Sequence, residues 1–309
     1  MTTFALVFPG QGSQSVGMMR AYEALPAVRA TFTEASEVLG QDLWALVSEG
    51  PAEELNQTVN TQPVMLTAGY ALLRAWKEAG GPEPAAVAGH SLGEYTALVA
   101  SGALEFREAL PLVRFRAQVM QQAVPEGVGG IAAILGLDDE GILAVCAEAA
   151  QGQVLEAANF NAPGQVVIAG DREAVTRGME LARAKGAKRA VALPMSAPSH
   201  CSLMRSAAQR LGERLATTSV HTPRLPALNN VDVAAPDDAA KIRDALVRQL
   251  YRPVRWVECV RELTRRGVTT VIECGPGGVL TGLNRRIATE VEAVALKDAE
   301  QLAQLASQF

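Results

Sequence analysis

An α/β fold with a parallel sheet, interrupted once by a small domain of its own strand order, is what this sequence predicts. Three observations carry the prediction: short apolar runs that end in Gly or Pro loops, helical periodicity between those runs, and a different strand–helix order over residues 131–193. Phe4–Phe8 (FALVF) is apolar throughout and breaks at Pro9-Gly10, which reads as a buried parallel strand entering a loop. Helical patterns follow over residues 15–48 and 62–79. After a Gly-Gly-Pro turn, residues 85–89 (AAVAG) supply a second short strand, and helical spacing returns over 106–121. Strands alternating with helices imply a parallel sheet covered on both faces.

Residues 125–130 (PEGVGG) form a turn-rich boundary. Beyond it come a strand at 131–135, a helix opened by Asp138-Asp139, strands at 154–159 and 165–169, a helix at 172–185 and a strand at 189–193. The order βαββαβ is the ferredoxin-like pattern. Residues 125–195 are therefore expected to form an inserted ferredoxin-like domain, with 1–124 and 196–309 forming the large domain. The large domain resumes with a strand at 269–273 that breaks into Gly275-Pro276-Gly277-Gly278 ahead of a helix.

Composition narrows the function. The 309 residues are 49% hydrophobic and 20% charged, which excludes a disordered chain and supplies a sizeable core. With 28 basic against 33 acidic residues the net charge is −5, so no nucleic-acid partner is expected. Cys146, Cys201, Cys259 and Cys274 are scattered with no Cys-x-x-Cys pair, excluding zinc-finger and thioredoxin readings. The three histidines, His90, His200 and His221, would all be needed for a three-histidine metal site, and no metal site is expected. No basic segment precedes the first apolar run, and no window approaches the ~18–20 apolar residues of a membrane span. A cytoplasmic protein without a membrane partner is the expectation; with no evident coiled coil, a monomer is favoured.

Gly89-His90-Ser91-Leu92-Gly93 matches G-x-S-x-G between a strand and a helix, the setting of an α/β-hydrolase-like nucleophile elbow. A serine that merely caps a helix is the alternative. A nucleophilic serine needs a base. The His90 ring would point away from Ser91, His221 sits in a proline-rich connection and reads as a surface residue, and His200 lies in a loop held by Pro198. His200 is the best of the three, though a structural histidine is its other reading. A hydrolase order of Ser, acid, His is awkward here, because no histidine follows position 221.

On the helix over 106–121, Ala109, Leu112, Val113 and Met120 share one stripe, and Arg116 falls inside it. Arg107, Arg114, Gln118 and Gln121 occupy the opposite face, so Arg114 reads as an ordinary surface charge. A buried guanidinium needs an anion. A buried Asp or Glu is one candidate and a substrate carboxylate held bidentately is another; a side chain that snorkels to the surface is the remaining reading.

Several blocks in one order carry a resemblance: FPGQGSQ (8–14), GHSLGEY (89–95), LVRFRAQVMQQAVPEG (112–127), ANFNAPGQVVIAG (158–170), SAPSHC (196–201), NNVD (229–232), QLYRPVRW (249–256) and ECGPGGVLTGL (273–283). The chain resembles, from end to end, the bacterial malonyl-CoA:acyl carrier protein transacylases of type II fatty acid synthesis. The resemblance implies Ser91 as nucleophile, His200 as base, and the main-chain carbonyl of Gln249 as the group orienting that base. It implies the N–H groups of Gln11 and Leu92 as the oxyanion hole, and Arg116 as partner of the malonyl carboxylate. Malonyl-CoA and acyl carrier protein are the implied substrates, with no cofactor. Lys188, Arg189, Arg285 and Asn161 are the candidates for carrier-protein and coenzyme A contacts, since an acidic partner meeting a chain of charge −5 calls for a local basic patch. The chain departs from the family at Gly278, where lysine is frequent, which weakens a basic contact at that point. A serine hydrolase, or a transacylase of polyketide or malonate-decarboxylase pathways, are the alternatives.

Overall fold

The computed structural model describes residues 3–194 and 197–309. Met195 and Ser196, where the sequence reading places the boundary of the inserted domain, lie outside the described residues, as do Met1 and Thr2. The chain first forms β1 (Phe4–Phe8), α1 (Pro26–Leu39), α2 (Leu43–Glu49), α3 (Ala52–Leu55), α4 (Thr58–Glu78), β2 (Ala86–Gly89), α5 (Gly93–Ala100) and α6 (Phe106–Ala123). The middle stretch supplies β3 (Gly129–Leu135), α7 (Asp139–Ala150), β4 (Leu155–Ala162), β5 (Gln165–Asp171), α8 (Arg172–Ala184) and β6 (Arg189–Ala192). The last part gives α9 (Arg205–Ala216), β7 (Ala227–Leu228), α10 (Ala239–Gln249), α11 (Trp256–Arg265), β8 (Thr270–Glu273), α12 (Val279–Ile287), β9 (Glu292–Ala295) and α13 (Ala299–Gln308).

All five residues of β1 are buried, as a strand at the centre of a parallel sheet requires. The sheet runs β7-β2-β1-β8-β9, parallel throughout. Register pairs Phe8 with Gly89 and Val7 with Glu273, so β1, β2 and β8 all open onto the same edge of the sheet. Loops at that carboxyl edge are where open α/β sheets place their ligands. The long helical pattern over 15–48 is broken by Gly40, whose φ of 62° ends α1 in the left-handed turn that glycine adopts without penalty. Leu6, Phe8, Leu66, Leu72, Val87, Leu98 and Leu110 join the main core; each fully buried Leu or Phe is worth about 1.5–3 kcal/mol.

The inserted segment folds as expected, into an antiparallel sheet of order β4-β5-β3-β6. Asp138 caps α7 by accepting the N–H of Gly141 at 2.8 Å. The period of two along the strands separates its faces. Ile134, Leu155 and Ile168 pack with Ile142 and Val145 of α7 and Val175 of α8, while Ile131, Val167 and Ala169 turn the other way and pack with Cys201. Main-chain bonds from Phe160 N–H to the Val254 carbonyl and from Val254 N–H to the Ala158 carbonyl, both 2.9 Å, stitch β4 to the large sheet's side of the molecule. The second face of the small sheet thereby becomes one wall of a cleft. No helix among the described residues is long and apolar enough to cross a membrane.

Candidate active site

Ser91 stands at the turn from β2 into α5 with φ of 51°, a left-handed conformation costing a non-glycine residue about 1–3 kcal/mol. What holds it there is close packing that only glycine permits. A Cβ on Gly89 would lie 1.9 Å from the carbonyl of Gly93, and one on Gly93 would lie 2.0 Å from the carbonyl oxygen of Phe8. The crossing of α5 over β1 and β2 is thus as tight as backbone allows, and the serine hydroxyl is presented at the sheet's carboxyl edge.

The Ser91 Oγ–H donates to His200 Nε2 at 2.7 Å, and His200 Nδ1–H donates to the carbonyl of Gln249, also at 2.7 Å. That second bond fixes the tautomer, leaving the Nε2 lone pair for the serine. His200 is itself in the left-handed region, φ 64°, and its N–H donates to the Leu250 carbonyl at 2.8 Å. Burial, and then the nearby Arg116 cation, push its pKa down to about 3, so the ring is a neutral base at neutral pH. His90 turns away from Ser91, as its sequence position suggests: its Nε2–H donates to Asn161 Oδ1 at 2.7 Å and its ring lies 5.6 Å from that of Trp256. His221 is exposed.

Arg116 is 1% exposed, on the inward stripe of α6. Its guanidinium donates to Gln62 Oε1 at 2.9 Å, to Gln249 Oε1 at 3.0 Å and to Ser91 Oγ at 3.2 Å, while its Nε–H has no protein partner. None of the ion pairs among the described residues includes it. The expectation of a buried Asp or Glu in direct contact therefore fails, and amide oxygens stabilise the cation in its place. Its neighbour Arg114 corrects a second expectation. Arg114 is half-buried rather than an ordinary surface charge, donating to the Leu39 carbonyl at 3.3 Å and to Gln41, because the flank of α6 meets the end of α1. A guanidinium there satisfies a helix C-terminal carbonyl.

Gln11, Leu92, Ser91, His200 and Arg116 line one cavity of about 140 Å³, closed by Met120, Ile131, Val167 and Leu193. Neither the Gln11 N–H nor the Leu92 N–H has an acceptor among the described residues, whereas the N–H of Ser91 is taken by Asn230 Oδ1 at 2.8 Å. Two free donors beside a nucleophile are what an oxyanion requires. Gln11 is anchored by its side chain, which donates to Thr58 Oγ1 at 3.1 Å. Asn161 lines the cavity. Lys188 and Arg189 are exposed at the start of β6, and the Arg285 guanidinium is tied to the Ala293 carbonyl at 3.1 and 3.2 Å. No group of three or more His, Cys, Asp or Glu among the described residues is arranged to hold a metal.

Gln62, Glu94 and Asn230 belong to the site, yet no role for them could be read from the sequence: their partners lie 54, 155 and 139 positions away along the chain. The only signals are the places of Glu94 in the GHSLGEY block and of Asn230 in the NNVD block.

Fold and site together define a class, that of the serine acyltransferases built on a nucleophile elbow. The acyl transferase domain family model matches residues 5–304, and the chain belongs to that family, among the malonyl-CoA:acyl carrier protein transacylases. It is 56% identical over 299 residues to the malonyl CoA-acyl carrier protein transacylase of Salmonella typhimurium, covering 96% of this chain and 97% of that one. It superposes on the acyl-carrier-protein S-malonyltransferase of Burkholderia pseudomallei with TM-score 0.97 and 59% identity, covering 99% and 100% of the two chains. A malonyl-transacylase solved with a type II PKS acyl-carrier protein matches with TM-score 0.98 and 51% identity, over 100% of both chains.

Proposed function

We propose that this protein transfers a malonyl group from malonyl-CoA to the phosphopantetheine thiol of an acyl carrier protein, through a malonyl ester on Ser91. The observation that carries the reading is the juxtaposition in one small cavity of a neutral His200 on Ser91 Oγ and a buried guanidinium without a carboxylate partner. The cavity is close in volume to the ~150 Å³ that encloses a benzene ring, which is the scale of a malonyl group.

His200 Nε2 takes the proton of Ser91 as Oγ attacks the thioester carbonyl. The new oxyanion sits on the N–H groups of Gln11 and Leu92. Collapse breaks the carbon–sulfur bond, and the departing coenzyme A sulfur takes the proton from His200. The carrier thiol then gives its proton to His200 and attacks the serine ester; collapse returns the proton to Ser91. Arg116 holds the malonyl carboxylate throughout. No cofactor enters these steps. Relatives named for malonyl-CoA and acyl carrier protein, and one solved with a carrier protein, support the substrate and the partner. The same reading takes the protein as a cytoplasmic monomer, which light scattering and fractionation check. Lys188, Arg189, Arg285 and Asn161 remain its candidates for carrier and coenzyme A contacts.

Intact-mass spectrometry tests the reading directly. Mixing with malonyl-CoA should add one malonyl group, which Ser91→Ala abolishes, and adding carrier protein from fatty acid or polyketide synthesis should move it to that protein. Release of free malonate with carrier present would refute transfer in favour of hydrolysis.

A further inference from the structure

A carboxylate lies buried beside the reacting pair and takes no part in the steps above. Glu94 occupies the first turn of α5, a position where an acidic side chain ordinarily faces solvent and the helix dipole. Here it is 3% exposed, and burial pushes its pKa up to about 7. Its Oε2 accepts two bonds from distant parts of the chain, from the Asn230 N–H at 2.8 Å and from Gln249 Nε2 at 2.8 Å. Both donors lead to the reacting atoms.

Asn230 accepts the N–H of Ser91 on its Oδ1 at 2.8 Å and donates its Nδ2 to the Gly89 carbonyl at 2.7 Å, so one side chain clamps both sides of the elbow. Gln249 holds His200 with its main-chain carbonyl, while its side chain donates to the Ser91 carbonyl at 3.1 Å and accepts from Arg116 at 3.0 Å. Because its Nε2 is committed to Glu94, the Gln249 amide has one orientation, oxygen toward the cation. A flipped amide would set NH₂ against guanidinium and oxygen against carboxylate.

We propose that Glu94 is the positioning residue that serves in place of a triad acid, fixing the nucleophile through Asn230 and the base through Gln249 without touching His200. A single acceptor oxygen serves both arms, so the bonds it accepts, rather than its charge, do the positioning. Glutamine can place its amide oxygen at the same point; alanine cannot.

The proposal rests on Ser91 and His200 as nucleophile and base, and its test reads them without malonyl-CoA or carrier protein. An alkyl fluorophosphonate forms an Oγ–phosphorus bond on an activated serine, expelling fluoride as His200 takes the proton. Its rate on Ser91, followed by intact mass, should fall about 10- to 100-fold in Glu94→Ala and in Gln249→Ala, the scale of small displacements of reacting groups. Glu94→Gln should stay within about threefold of the parent, as an exchange of one acceptor for another does. The Nδ1–H proton resonance of His200, sharp in the parent and in Glu94→Gln, should broaden in Glu94→Ala, which a loss of stability alone would not cause. Wild-type reactivity with a sharp resonance in Glu94→Ala overturns the proposal, as does Glu94→Gln reacting as slowly as Glu94→Ala. Should Glu94→Ala fail to fold, Gln249→Ala and Asn230→Ala carry the test, and parental rates in both overturn it. A parent chain that takes the phosphonate but no malonyl group overturns the transfer reading alone.

Discussion

On the proposed reading, replacing Arg116 by alanine should separate recognition of the acyl group from chemistry on it. The guanidinium is enclosed and makes three bonds, with its Nε–H left over and only one NH1 bond made, so it can donate to an incoming carboxylate without leaving Gln62 or Gln249. Truncating one member of a buried hydrogen-bonded charge pair costs about 2–5 kcal/mol. At about 1.4 kcal/mol per tenfold, malonyl transfer should lose about 30- to 4,000-fold in kcat/KM. An acetyl group has no carboxylate to lose. The variant also forfeits the 3.2 Å bond to Ser91 Oγ, a long one, and that loss falls on both acyl groups alike. The decisive quantity is therefore the malonyl-to-acetyl ratio of kcat/KM, measured by transfer from the two thioesters to one carrier protein, with a thermal melt as the control for folding. The ratio should collapse by the factor above. Equal loss for both substrates would refute the assignment and make Arg116 a structural cation resting on Gln62 and Gln249.

Two further outcomes follow from the geometry. His200 is held near 3 in place of the ordinary 6.5, so its neutral, base-competent form persists as the pH falls through 6.5 toward about 3. The pre-steady-state rate of Ser91 acylation should accordingly stay flat from pH 7 down to about 5; a fall with an apparent pKa near 6.5 would show a solvated histidine. Gly93→Ala would set a Cβ 2.0 Å from the Phe8 carbonyl oxygen, which only a backbone shift can relieve. Overpacking of this kind costs about 1–3 kcal/mol, and it should lower the melting temperature and slow acylation together. Acylation at the parental rate would show that the elbow tolerates the shift.

Much of the frame was legible before any coordinates. The limits of β1 match the apolar run at residues 4–8, because a strand buried on both faces has no polar face to blur the pattern. The ferredoxin-like order of the insertion is set by local spacing and turns, and it matched element by element. β7, two residues long, and β9, with exposed Glu292, carry too little pattern to be read without their sheet neighbours. Helical period alone placed Arg116 inside and put Arg114 outside. The first held, since the inward stripe always faces a core. The second failed because the outer flank of α6 meets another helix end, which no single helix can encode.

By itself the sequence determined three strands of the parallel sheet, the four of the inserted one, the Gly-flanked serine and the inward arginine, all of them properties of a few neighbouring residues. Tertiary structure decided which groups surround them. It brought the Nε2 of His200, which the sequence already favoured over His90, to 2.7 Å from Ser91, and it supplied amide oxygens in place of a carboxylate for Arg116. It also brought Asn230 and Gln249, each more than 130 positions along the chain from Glu94, to one oxygen of the Glu94 carboxylate. Backbone periodicity is local and is written in the chain, whereas a hydrogen-bond network exists only once the fold has closed the distance between its members.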